Sequence, residues 1–114
     1  VIPIDFDKPR NLKFDLAAIK DLEANCNGQP LGSIVNQLAQ LGITALTTAL
    51  WAGLKHEDRT LTPNLVTKML ERYISEKKSM RVLARALNDA IDESGIFRNE
   101  DDELLLGNAP TPVQ

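Results

Sequence analysis

Between Ala24 and Leu54 the chain runs for 31 residues without one Asp, Glu, Lys or Arg, although these types make up 25% of the whole. Every charge lies on one side or the other of this stretch. Its most apolar part, LGITALTTALWAGL from Leu41 to Leu54, has the spacing of a helix. Ile43, Leu46, Leu50, Trp51 and Leu54 share one face, and Ala45, Ala49 and Ala52 line the opposite side. A helix with no charged face must be enclosed on most sides. The run has 14 residues and three threonines, short of the roughly 20 apolar residues that a membrane helix needs. It is therefore expected to be a central core helix, or one whose second face is covered by another chain.

The flanking segments have their own patterns. Ile2, Ile4 and Phe6, then Leu12, Phe14 and Leu16, alternate with polar residues, which predicts a β-hairpin over residues 1–15 with its turn in Asp7-Lys8-Pro9-Arg10-Asn11. Asp15 caps a helix over 16–26, with Leu16, Ile19, Leu22 and Cys26 inward and Asn27-Gly28 as its stop. Pro30 opens a second helix bearing Leu31, Ile34, Val35, Leu38 and Leu41, with Gly42 as punctuation. Thr62-Pro63 starts a fourth, with Leu65, Val66, Met69, Leu70, Tyr73 and Ile74 as its stripe. Ser79 caps a fifth, whose core face is Met80, Leu83, Ala84, Leu87 and Ile91 and whose stop is Gly95.

This predicts a mainly α, five-helix domain over 1–98 with a short N-terminal β-hairpin. A mobile tail over 99–114 follows, with an acidic run, Glu100 to Glu103, then Leu104, Leu105 and Leu106. A length of 114 residues suffices for one core that buries roughly two thirds of the unfolded surface. No signal peptide is read at the start.

Chemistry-bearing signals are sparse. The single histidine, His56, has no second His or Cys near it for a zinc site. The single cysteine, Cys26, has no base or cation beside it and falls on an apolar helix face, which reads as core. Asp5 and Asp7 share a strand face but are too few oxygen ligands for calcium. The six glycines are spread as punctuation, with no phosphate loop. No cofactor, metal or catalytic residue is expected. Lys77, Lys78, Arg81 and Arg85 form the best basic patch, an alternative reading as a small helical DNA-binding regulator. A net charge of −3 and seven acids between Glu57 and Glu93 weigh against it. Arg85 is expected to pair with Asp89. Trp51, the only tryptophan, stands at the margin of its apolar stripe, either as core or as an interface anchor.

The order of parts resembles a known family. IDFDKPRNLKFDLAAIKDLEAN, then TTALWAGLKHED, then LTPNLVTKMLERYI are similar to the tail assembly chaperones of long-tailed bacteriophages and related prophage or gene-transfer particles. The matching positions are Ala18, Ile19, Leu22 and Glu23, then Ala49 to Leu54 with His56, then Leu61, Thr62, Leu65 and Val66. Pro63 and Asn64 stand where the family has an acidic first turn. The resemblance implies a non-enzymatic protein of the bacterial host cytoplasm, absent from the finished virion. It would bind the tape measure protein, keep it soluble and help recruit tail tube protein. Coating a long helical client calls for several self-associated copies, each with an apolar groove. Ala45, Ala49 and Ala52 are the expected floor of that groove, Trp51 and Leu54 its edge, and Leu104, Leu105 and Leu106 its cover.

Overall fold

The computed structural model describes residues 1–96. Two strands, β1 (Ile2–Asp5) and β2 (Pro9–Leu12), pair antiparallel with Ile2 opposite Leu12 and Asp5 opposite Pro9. Five helices follow: α1 (Leu16–Asn25), α2 (Leu31–Ala39), α3 (Ile43–Leu54), α4 (Pro63–Ser75) and α5 (Met80–Glu93). The fold is thus the expected mainly α domain with an N-terminal hairpin. The expected tail over 99–114, with Leu104, Leu105 and Leu106, lies outside the described residues.

α3 is the hub. It touches α1, α2, α4, α5 and β2. Leu46, Leu50 and Leu54 are wholly buried, and each contributes about 1.5–3 kcal/mol through the surface it removes from water. Ala45, Ala49, Ala52 and Gly53 are buried as well. The alanine side expected to stay open or to face another chain is therefore closed by the chain's own helices. Small side chains bring helix axes close, which is why a face of alanines fills as readily as a face of leucines. Two buried hydroxyls are satisfied locally. Thr47 Oγ1 donates to the carbonyls of Ile43 and Thr44 at 3.0 and 3.1 Å, and Thr48 meets the thiol of Cys26. At Gly53 the hairpin comes in close. An added Cβ would lie 2.9 Å from Phe14 Cζ and 3.0 Å from Leu12 Cδ2.

The helix boundaries come from the signals expected, with two shifts. Asp15 accepts from the Ala18 amide at 2.8 Å, Thr62 from Leu65 at 3.1 Å and Ser79 from Arg81 at 3.2 Å. Asn27, Gly28 and Gly95 take the left-handed backbone that ends helices. After α2, however, the left-handed residue is Leu41, with φ 61°, rather than Gly42. Gly42 instead opens α3 with ordinary backbone angles, and its amide bonds to the Gln37 carbonyl at 2.8 Å. Leu16 is the second shift. It is exposed as the first residue of α1, because the hairpin ends at Leu12 and the alternation does not continue through it. Leu65 and Ile74 are likewise exposed, so the buried stripe of α4 narrows to Val66, Leu70 and Tyr73.

The hairpin turn is tighter than expected. It occupies residues 6–8, and Pro9, Arg10 and Asn11 belong to β2. The alternation places Arg10 inward, 7% exposed, where Asp7 takes both its Nε and its Nη2, at 2.5 and 2.8 Å. Asp58, on the loop after α3, sits 3.6 Å from the same guanidinium. A buried guanidinium is tolerated only when its donors are matched in this way. Asn11 is held too: Glu57 accepts from its amide and its side chain, each at 3.0 Å, and the His56 ring bonds its carbonyl at 2.8 Å. The loop after α3 thereby fastens β2 to the helices. Phe6 completes the seam, its ring 5.7 Å from that of Tyr73.

Two consequences follow for stability. Gly53→Val is expected to destabilise the fold by about 3 kcal/mol through overpacking against Phe14 and Leu12, read as a lower denaturant midpoint. The Arg10 guanidinium, by hydrogen bond and charge, holds the Asp7 carboxyl below its ordinary value of 3.8. That contribution is fully present above the ordinary value and is lost as pH falls through the depressed one. In Arg10→Met this part is absent, so the denaturant midpoint is expected to fall less steeply than in the parent between about pH 4 and pH 2.

Candidate functional site

Two members of the expected inward stripe of α3 are not absorbed by the core: Ile43 at its start is 51% exposed, and Trp51 near its end is only half-buried. Its indole N–H donates to the Leu61 carbonyl at 3.1 Å, and the Lys55 ammonium lies 4.8 Å from the ring centroid. Lys55 also pairs with Asp21 of α1. The ring therefore has a fixed orientation and forms one wall of an open depression of about 470 Å³ between α1, the end of α3 and the loop after it. Ala17, Ala52 and Leu61 supply its apolar lining, and Lys13, Lys55, His56 and Arg59 its rim, with Asp15 engaged as the cap of α1.

A second, larger depression, about 620 Å³, runs between α2 and α5. Val35, Leu38, Leu41 and Ala84 line its apolar side, and Val82, 62% exposed, adds a bare branched side chain on the outer face of α5. Arg81, Arg85 and Asp89 stand along it. No ion pair within 4.0 Å joins Arg85 to Asp89, contrary to expectation, and neither Arg81 nor Arg85 has an acidic partner among the described residues.

The residues expected to form a partner groove divide accordingly. Trp51 and Ala52 border the first depression. Ala45, Ala49 and Leu54 do not border it; they are 1%, 0% and 0% exposed, because α3 is surrounded on the side that was expected to be free. The basic residues also separate. Lys77 takes a left-handed turn after α4, and Lys78 pairs with Glu76 at 3.5 Å and lies over the Tyr73 ring. Only Arg81 and Arg85 face the α2–α5 groove. Sequence reasoning placed Val35 and Leu41 on an ordinary core stripe and passed over Val82, whose signal was an apolar residue beside Arg81 and off the stripe.

For chemistry, the buried thiol of Cys26 is pushed up by desolvation, only partly offset by its Thr48 contact, which makes it a poor nucleophile. Among the described residues no three His, Cys, Asp or Glu side chains gather as a metal site. No helix among them is long and apolar enough to cross a membrane. Both depressions have the composition of docking surfaces, apolar with a few charges at the edge. Compared with family models, curated proteins and solved structures, the chain matches none of them.

Core and surface positions should separate cleanly on substitution. Ala49→Met is expected to cost about 1–3 kcal/mol, because α3 has no room on its alanine side. Val82→Asn is expected to cost less than about 0.5 kcal/mol. Chemical denaturation of the two variants checks the contrast.

Proposed function

We propose that this chain is a non-catalytic tail assembly chaperone, which binds the tape measure protein of a long-tailed phage or related particle in the bacterial cytoplasm and is left out of the finished virion. The observation that supports the reading best is where the family-like segment Ala49 to His56 lies. Its apolar members hold the core together, while Trp51, Ala52 and His56 border a single open depression. In this reading a helical client lays an apolar side chain against the Trp51 ring. Acidic groups of the client meet Lys13 and Arg59 at the rim.

A single such contact is weak. Several self-associated copies along one long helix multiply it without any new kind of contact, and a row of bound copies then presents the client to tail tube subunits. A fixed aromatic ring suits this task, because it offers contact area at little cost in side-chain ordering.

The test is co-expression with the tape measure protein encoded beside this chain. The soluble yield of tape measure is expected to rise several-fold with the parent chain. The variant Trp51→Ala, Arg59→Glu, confirmed as folded by circular dichroism, is expected to give most of that gain back. A tape measure equally insoluble with and without the chain overturns the assignment. Full rescue by the folded variant places client binding elsewhere.

A further inference from the structure

The outer face of α5 runs against the helix dipole. Arg81 and Arg85 stand in its first half and Asp89, Asp92 and Glu93 in its second, whereas a helix favours acids at its start and cations at its end. Pairing along the helix does not offset this. Arg85 and Asp89, four positions apart, form no ion pair with each other, and Arg81 has none among the described residues. Beside them Val82 is 62% exposed. Across the groove, α2 belongs to the uncharged stretch, so it supplies apolar Val35 and Leu38 but no counter-ion. The partner that fits this face carries its charges in the opposite order, acidic where α5 is basic and basic where α5 is acidic.

A second copy of α5, reversed, is such a partner. We infer that the outer face of α5 is a two-fold contact between two copies of this chain, in which the helices lie antiparallel and Arg85 of each copy meets Asp89 of the other. The proposed chaperone calls for self-associated copies without assigning their contact; this contact takes up that self-association and needs no client.

The register follows from the positions. An axis crossing the face level with Leu87 lies two residues from Arg85 and two from Asp89, so each arginine stands opposite the other copy's aspartate, in two equivalent pairs. Arg81 then falls level with the second copy's Glu93, near the carbonyl end of that helix, where a cation is favoured. The charge order that disfavours the single helix thus favours the pair. Arg85 and Asp89 are about one turn apart, roughly 6 Å along α5. Half-buried Ala86 and exposed Asn88, on either side of the axis, have short side chains that let the helices approach. A two-fold axis perpendicular to α5 keeps the α2 sides of both copies together, so the two grooves face each other and their apolar walls share one enclosure. Because each copy uses the same face, the assembly closes at two.

Analytical ultracentrifugation of the full chain tests this, with no client present. The parent is expected to form dimers at micromolar concentration that weaken as salt rises. Arg85→Glu and Asp89→Arg, each alone, set like charges opposite one another twice per dimer, and each is expected to weaken association at least about tenfold. Mixed together, the two variants regain opposite charges at both positions and are expected to associate about as well as the parent. A parent that stays monomeric up to millimolar concentration, single variants that dimerise unchanged, or a mixture that stays monomeric each overturn the inference. A measurement on the parent alone guards against misfolded variants. On dilution, the amides of Val82, Arg85 and Asp89 are expected to shift, while those of Leu65 and Ile74, exposed on α4, stay in place. Shifts confined to α4 or to the Trp51 depression overturn the inference by assigning the contact between copies elsewhere. The tape measure protein takes no part in these measurements, so loss of this contact and loss of client binding are read separately.

Discussion

Close approach to α3 sets the position of nearly everything else in this chain. Alanine and glycine at 45, 49, 52 and 53 let neighbouring elements come near the helix backbone, while Leu46, Leu50 and Leu54 fill the larger spaces. Lys13 donates its amide to the Gly53 carbonyl at 3.0 Å, so the chain leaving the hairpin is bonded at the very point where Phe14 and Leu12 press on the helix. A side chain at Gly53 would separate these parts, and with them the loop that holds Trp51.

The polar contacts are concentrated where the hairpin meets the helices. Arg10, Asn11, His56, Glu57 and Asp58 form one seam between β2 and the loop after α3. The only histidine thus takes part in a structural contact. The carboxyl groups of Asp7, Glu57 and Asp58 are all held below their ordinary values, by Arg10, by Asn11 and by Thr60 respectively as the leading cause. Perturbed acids often mark active sites. In this seam each faces a hydrogen-bond donor that fixes a loop, and a structural origin accounts for the shift.

A consequence is that the Trp51 depression and the α2–α5 groove sit on opposite sorts of framework. The Trp51 depression is built at the polar seam, where hydrogen bonds and an ion pair fix each wall. The α2–α5 groove lies between two helices and is bordered by apolar side chains with Arg81 and Arg85, which have no ion pair among the described residues.

By itself the sequence determined the elements. Caps at Asp15, Thr62 and Ser79, stops at Asn27, Gly28 and Gly95, and apolar spacing all act within a turn or two of chain, so they are legible without tertiary information. It also determined that most of α3 would be enclosed, because an uncharged helix has no face to offer water, although Ile43 at its start is 51% exposed. Only the tertiary structure decided what enclosed it. Whether an alanine side is a groove floor or an interior depends on which helices approach, and five residues of spacing cannot encode that choice. The same holds for Arg10, a turn residue by composition and a buried cation once Asp7 and Asp58 converge on it, and for Val82, an apolar residue left 62% exposed beside the groove between α2 and α5.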